Sequence, residues 1–193
     1  ASRIAASLYL QDQTDLNRAI LVFKGALGDR TSYAGFTFGA LTWQADPSKP
    51  RWINPKGSKI SGVSVDGVIP DDARRGGSFS TAICKSSYMW EGVQGLVVSA
   101  EMLHRAGYPA YEWSDRALLR ASQWLHNTTF SDGKRFPAEG DDIWQVYLIN
   151  KRYGTKFPTN NTASLSIGKM MGFTEWTHSV TSTTGNNVPP PGC

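Results

Sequence analysis

The residues best suited to chemistry lie between positions 66 and 91. Arg74 and Arg75 stand side by side in a loop punctuated by glycine and proline, shortly after Asp72. An arginine presents a rigid fork of donors that can bind a carboxylate through two parallel hydrogen bonds. One of the two arginines is therefore expected to hold the carboxylate of an acidic sugar, while an aspartate orients it. The alternative is a salt-bridged surface turn with no ligand.

An aromatic and acidic cluster follows where the next helix is predicted to begin. Tyr88 can act as an acid or a base, and Trp90 offers a face on which a sugar ring can stack. Glu91 has a simpler alternative explanation, because an acidic side chain is favourable near a helix N-terminus. Trp43 and Trp52 lie in the loop-rich part of the chain, where stacking on a sugar is also plausible.

A third candidate is His178, which closes the segment Gly-Phe-Thr-Glu-Trp-Thr-His. Histidine is the usual proton shuttle near neutral pH. A structural histidine is the alternative, and we expect such a role for His104 and His126, which fall within or at the end of predicted helices. The histidines and cysteines show none of the spacings typical of a metal site, and no phosphate-binding glycine loop occurs, so neither a metal nor a cofactor is predicted.

The composition indicates one folded domain with an anionic partner. The 193 residues are 40% hydrophobic and 19% charged, which suits a single globular core. The net charge of +4 would attract an anion at long range. No Lys/Arg-rich run or nucleic-acid motif accompanies this charge, and no apolar run approaches the ~20 residues of a membrane span. We therefore expect an acidic polysaccharide as partner, and neither nucleic acid nor a membrane.

Hydrophobic periodicity predicts a mainly α-helical fold. The predicted helices begin at Thr14–Asp15, at Ser86 or Ser87, at Ser114–Asp115 and at Asp141–Asp142, and Gly28, Gly107 and Gly154 are predicted helix stops. Short connections join the later helices, so neighbours should pack as antiparallel hairpins. Residues 29–85 are poor in helix signals and predict a long irregular region with only short strands or helical turns.

Several features favour a secreted protein. The sequence does not begin with Met, which we interpret as the result of leader removal. The even pair Cys84 and Cys193 then predicts one disulfide, the alternative being two free thiols. That bond would tie the Pro-rich tail, residues 181–193, to the edge of the arginine loop. Two sequons predict N-glycosylation at Asn127 and Asn160.

Segments in a characteristic order resemble the alginate lyase-like family of polysaccharide lyases. The segments are Asp66–Arg75, Tyr88–Leu96, Ala106–Tyr108, Gly140–Trp144, Tyr153–Thr155 and Gly168–His178. Together they cover most of residues 8–178. The resemblance implies a single domain, residues 1–180, in which paired helices form a partial α/α toroid, and it implies cleavage of uronate polymers by β-elimination.

The same resemblance implies roles for individual residues. Arg75 would neutralise the uronate carboxylate, so that the carbanion at C5 can delocalise. Tyr88 would be the acid or base, assisted by His178 or Glu91. From residue type alone, the candidate substrate-binding residues are Arg74, Asp72, Trp43 and Trp90. We expect the four catalytic candidates to converge on one cleft, with Trp43 or Trp90 on its wall.

The chain departs from the family pattern at two positions. The Asn-His pair that precedes the Asp-Gly-x-x-Pro loop in such lyases is missing, and the residue about two helical turns after Arg75 is Ala82, so the nearest tyrosine is Tyr88. A complete toroid also needs more helices, which leaves open a second chain or dimer partner that completes it. Two other functions stay open: a non-catalytic carbohydrate-binding or defence protein on the same scaffold, and a hydrolase with Asp72 and Glu91 as paired carboxylates.

Overall fold

The fold is mainly α-helical, as the periodicity predicts. The computed structural model describes residues 1–159 and 170–178. The α-helices of the described residues are α1 (Ser2–Tyr9), α2 (Gln13–Ala26), α3 (Pro70–Ala73), α4 (Tyr88–Arg105), α5 (Trp113–Asn127), α6 (Trp144–Tyr153) and α7 (Thr174–His178). Two short strands, β1 (Lys59–Ile60) and β2 (Val63–Ser64), pair antiparallel.

The first helical pair begins earlier than predicted. Asp12, rather than Thr14 or Asp15, caps α2: its carboxylate accepts a hydrogen bond from the Asp15 amide at 2.9 Å. The helix α1, which the sequence reasoning missed, packs against α2. It carries a weak signal because only Ile4 and Ser7 are buried along its eight residues.

Residues 29–85 are irregular, as predicted, apart from α3, the two short strands and two 3-10 turns. Buried side-chain amides supply hydrogen bonds that regular structure would otherwise provide. Asn54 donates to the carbonyl of Trp43 at 2.9 Å and accepts from the amide of Ala45 at 3.1 Å. Gln44 similarly exchanges two hydrogen bonds of 2.9 Å with the backbone of Arg51. The loop region is therefore ordered by specific polar contacts.

The long helix α4 is the centre of the described fold, in contact with α1, α2, α3, α5 and α6. Ser87 precedes it, in agreement with the predicted start, although its side chain makes no capping hydrogen bond. The helix α5 departs from the prediction because the backbone of Ser114 and Asp115 is left-handed, with φ near 53° and 54°. Gly154 ends α6 as expected, in the left-handed conformation with φ of 68°.

The consecutive helices α4, α5 and α6 contact one another, whereas the toroid that the resemblance implies stays a prediction. Asn160, Cys193 and the Pro-rich tail lie outside the described residues, so the disulfide also stays a prediction. Its proposed partner Cys84 is exposed. Among the residues that the structure describes, no helix combines the length and apolar character needed to cross a membrane.

Candidate functional site

A cleft of about 520 Å³ opens beside α4, between the first helical pair and the arginine loop. Most of its wall is apolar and comes from Ile4, Ala19, Val22, Phe23, Ala26, Phe36, Trp52 and Leu96. Four polar side chains line the cleft near the start of α4: Asp72, Arg75, Tyr88 and Glu91. The structure thus brings together four of the residues that the sequence singles out.

The geometry of α4 explains why its cleft residues share one side. An α-helix turns by about 100° per residue, so positions three, four and seven apart lie on the same face. Tyr88, Glu91, Gly92, Gly95 and Ser99 follow this spacing and all line the cleft. A Cβ at Gly95 would meet only the Met170 side chain, at 3.8 Å, so there is room beside the backbone for the cleft to run along the helix.

Arg75 and Tyr88 form a cation–π pair at the polar part of the cleft. The guanidinium carbon of Arg75 lies 4.4 Å from the centre of the Tyr88 ring. Both side chains are exposed, and Tyr88 retains 41% of its accessible surface. The stacked ring restricts the arginine, while its donors and the tyrosine hydroxyl remain within reach of a ligand in the cleft.

Asp72 is an acid of the cleft with a raised pKa. Burial raises its pKa to about 6, the charges of Asp71 and Glu91 add to the rise, and Arg75 opposes it. The carboxylate packs directly against α4, where a Cβ at position 92 would overlap its Oδ2 atom. Gly92 therefore permits the close approach that desolvates Asp72, and the carboxyl exchanges its proton near neutral pH.

Arg74 does not line the cleft and fixes the loop instead. Its guanidinium pairs with Asp71, with 2.7 Å between Nε and Oδ1. Asp71 also accepts a hydrogen bond of 2.9 Å from the Gly39 amide and thereby joins two parts of the loop region that are 32 residues apart. Arg74 therefore has a structural role in the loop through its Nε and Nη2, and its expected role in substrate binding stays a prediction.

The two tryptophans expected on the cleft wall are core residues. The indole nitrogen of Trp43 donates to the carbonyl of Gly77 at 2.8 Å, and that of Trp90 donates to the carbonyl of Phe136 at 2.9 Å. Both rings are buried. Trp52, the other tryptophan of the loop region, lines the cleft instead, beside Phe36 at a ring separation of 5.0 Å. Phe36 was missed because nothing local distinguishes it from other loop aromatics.

His178 also lies away from the cleft, which corrects the expected convergence with Arg75. Only 4% of its surface is accessible, its Nε2 lies 3.3 Å from Glu101 Oε1, and its Nδ1 lies 2.7 Å from the Thr177 hydroxyl. By helical geometry Glu101 falls on the face of α4 opposite Tyr88. Burial lowers the pKa of His178, with Glu101 opposing the change.

Glu101 is the hub of a buried ion cluster. Only 1% of this residue is accessible, and Arg152 binds it through two hydrogen bonds of 2.9 and 2.6 Å. Arg105 and the Tyr111 hydroxyl add bonds of 2.8 and 3.0 Å. Burial alone would raise the pKa of Glu101, but the hydrogen bonds from Arg152 and Arg105 outweigh it and lower the pKa to about 2. Because its partners come from α4, α6 and α7, the cluster joins these helices.

The described residues contain no group of three or more His, Cys, Asp or Glu side chains placed to hold a metal ion. In comparisons with known proteins, the chain matches no family model, no curated protein and no solved structure. The resemblance to alginate lyase-like enzymes therefore stays a hypothesis based on the sequence motifs.

Proposed function

We propose that the chain is a secreted polysaccharide lyase that cleaves a uronate-containing polymer in the cleft by β-elimination. The observation that carries this proposal is the convergence of Arg75, Tyr88 and Asp72 on one cleft. A fixed cation, a hydroxyl and a carboxyl with a pKa near neutrality are the groups that such a reaction needs.

Arg75 acts on the acidic group of the sugar. Its guanidinium pairs with the uronate carboxylate and stabilises the negative charge that develops when the C5 proton leaves. The stacking on Tyr88 at 4.4 Å reduces the number of orientations the guanidinium can adopt. Less ordering is then required when the substrate binds.

Asp72 and Tyr88 divide the proton transfers. The ionised Asp72 takes the proton from C5, and the electron pair forms the double bond between C4 and C5. The bond from C4 to the glycosidic oxygen breaks, and the Tyr88 hydroxyl donates the proton that this leaving oxygen takes up. Because the pKa of Asp72 is about 6, its carboxylate is available as a base above that pH and is a stronger base than an ordinary aspartate.

The apolar part of the cleft suits the rest of the polymer. Trp52 and Phe36 offer aromatic surfaces against which the apolar face of a sugar ring can pack. Neighbouring sugars would then be held along the wall while a uronate lies at Arg75. Such remote binding positions the reacting ring without changing its chemistry.

A second function, non-catalytic binding of an acidic polysaccharide, is favoured by one observation. His178, the imidazole that the family resemblance places in the proton-transfer set, is held by Glu101 away from the cleft. A cleft without that imidazole retains Arg75 and the aromatic wall, which suffice for binding.

The test is incubation of the protein with alginate, glucuronan and pectate. A lyase releases unsaturated uronate that absorbs in the ultraviolet, whereas new reducing ends without a double bond would indicate hydrolysis by Asp72 and Glu91, both of which line the cleft. Binding with no product on any polymer would leave the non-catalytic function.

The variant Tyr88→Phe isolates the proton donor because it removes only the hydroxyl. Turnover should fall by about 10²-fold or more with little change in KM. Tyr9→Phe is the matched control, since Tyr9 is 87% exposed at the end of α1 and does not line the cleft. Full activity of Tyr88→Phe would remove this residue from the mechanism.

A further inference from the structure

A second pocket, of about 380 Å³, lies at the C-terminal end of α5, where residues 126–137 meet the loop that follows α6. Its polar lining comes from His126, Asn127, Arg135 and Lys156, and Phe157 and two prolines provide apolar walls. No acidic side chain is among the described lining residues, so the pocket is positively charged. None of the candidate cleft residues contributes to it.

The loop that carries Lys156 is held in place by a buried side chain. Asn150 of α6 donates to the Phe157 carbonyl at 3.0 Å and accepts from the Phe157 amide at 2.9 Å. It also accepts a hydrogen bond of 2.8 Å from the Thr155 hydroxyl. These bonds fix the backbone on both sides of Lys156. The pocket wall is therefore preorganised, which lowers the cost of ordering it around a ligand.

The cations retain donors for a ligand. Arg135 uses its Nη1 for the His126 carbonyl at 3.1 Å and the Asn127 side chain at 3.3 Å, so these contacts leave its Nε and Nη2 uncommitted. Lys156 is exposed and forms no ion pair within the described part of the chain. Two cations with spare donors are a suitable pair for one carboxylate.

His126 packs against Phe157 and is a built-in reporter of the pocket. The residue is only 6% accessible, and its ring stacks on Phe157 with 4.3 Å between centroids and 9° between planes. Its Nε2 is buried and has no hydrogen-bond partner among the described residues. Burial lowers the pKa of His126 to about 4, so the ring is neutral at pH 7. The Nε2 nitrogen is enclosed by protein atoms, so the contribution of His126 to the pocket is its stacking on Phe157, through which its signal responds to a ring packed against Phe157.

We propose that this pocket binds the carboxylate of an acidic sugar ring, with Arg135 and Lys156 on the carboxylate and Phe157 against the ring. This binding site is separate from the proposed catalytic cleft and does not depend on lyase activity. The apolar walls distinguish it from a bare anion site, because they contact the ring and not the charge.

The test uses three probes on protein from a bacterial host, so that Asn127 carries no glycan. Glucuronate has both ring and charge, glucose has the ring alone, and inorganic phosphate has the charge alone. Binding is followed by the imidazole NMR signals of the chain's three histidines. Glucuronate should move the His126 signal, leave those of His104 and His178 in place, and bind at least about tenfold more tightly than either control.

The variant Lys156→Ala should weaken glucuronate binding about tenfold, because it removes one charge-assisted contact from an exposed position without a described structural role. Lys151→Ala removes a charge from exposed Lys151 of α6, which does not line the pocket, and should have no such effect. Arg75→Ala should leave the glucuronate-dependent change of the His126 signal as it is, even where it abolishes binding in the cleft, which separates this site from the cleft. Equal binding of phosphate, equal loss in Lys151→Ala or an unmoved His126 signal would each overturn the proposal.

Discussion

Similar residue types gather beside the two faces of α4, but the two groups differ in how far their members are hydrogen-bonded to one another. On one face Glu101 is surrounded by Arg152, Arg105, Tyr111 and His178, which together occupy its carboxylate. On the other face Asp72, Arg75 and Tyr88 line an open cleft. Arginine, carboxylate and tyrosine occur in both groups, so residue type alone does not distinguish a site from a structural cluster.

The difference lies in what the partners leave available. The pKa of Glu101 is lowered because hydrogen bonds from its neighbours stabilise the ionised carboxylate. The pKa of Asp72 is raised because burial disfavours the ionised form. A cluster whose charged groups bind one another stabilises the fold, whereas charged groups that line an open cleft can act on a ligand. The comparison makes different predictions for the two faces.

The largest effect is expected from Glu101→Gln. This change keeps the shape of the side chain but leaves Arg152 without its countercharge, which should lower the free energy of unfolding by about 3–5 kcal/mol. Urea denaturation measures the loss. The matched control is Glu112→Gln, because the Glu112–Arg116 pair is exposed and should contribute less than about 1 kcal/mol. Equal losses in the two variants would contradict the structural role of the cluster.

A smaller effect, on binding and not on folding, is expected from Arg75→Ala. Loss of a hydrogen-bonded cation should weaken binding of a uronate oligomer by about 1.5–3 kcal/mol, while the free energy of unfolding changes little because Arg75 is exposed. Isothermal titration calorimetry measures the affinity. Arg18→Ala removes an exposed charge outside the cleft, and if it weakened binding as much, the attraction would be general and not local.

The smallest effect is the pH dependence of stability, which should have opposite signs for the two acids. The pKa of Asp72 is raised from 3.8 to about 6, so between these values the folded state binds the proton more tightly than the unfolded state does. The free energy of unfolding should therefore fall by about 1 kcal/mol as the pH rises from about 4 to above 6, a reduced value because the carboxyl is only partly buried.

The contribution of Glu101 to the free energy of unfolding has the opposite pH dependence, and it changes over a lower pH range. Its pKa is lowered from 4.5 to about 2, so its stabilisation is present above about pH 4.5 and is lost as the pH falls toward 2. Urea denaturation of Asp72→Asn and Glu101→Gln at a series of pH values measures the free energy of unfolding of each variant and separates the two contributions. If Asp72 made the wild-type chain more stable relative to Asp72→Asn as the pH rises from 4 to 6, this carboxyl would not be buried as described.

Local signals explain what the sequence predicted well. The helix class, the irregular region and the stop at Gly154 depend on residues near one another in the chain. Arg75 and Tyr88 also meet because the helix begins shortly after the arginine loop. Such short-range relationships can be derived from spacing, and they account for the four candidate residues found in the cleft.

The failures depend on tertiary contacts that no local pattern encodes. Asp12, Thr14 and Asp15 are all residue types that can cap a helix, and Asp12 becomes the cap of α2 while Asp15 pairs with Arg3 and accepts from Ser7. His178 lies 77 positions from Glu101, so its contact with the far side of α4 has no signature in either segment. In each case the partner, and not the residue itself, determines the role.

Gly92 has a consequence for how easily such a chain can lose activity. A methyl group at this position would overlap the Asp72 carboxylate, so Gly92→Ala would displace the proposed base while leaving Arg75 and the buried ion cluster unchanged. A single nucleotide change converts any glycine codon to an alanine codon. On the proposed mechanism, one mutational step would therefore separate a catalyst from a binder on this scaffold, and position 92 would record which of the two a descendant lineage has become.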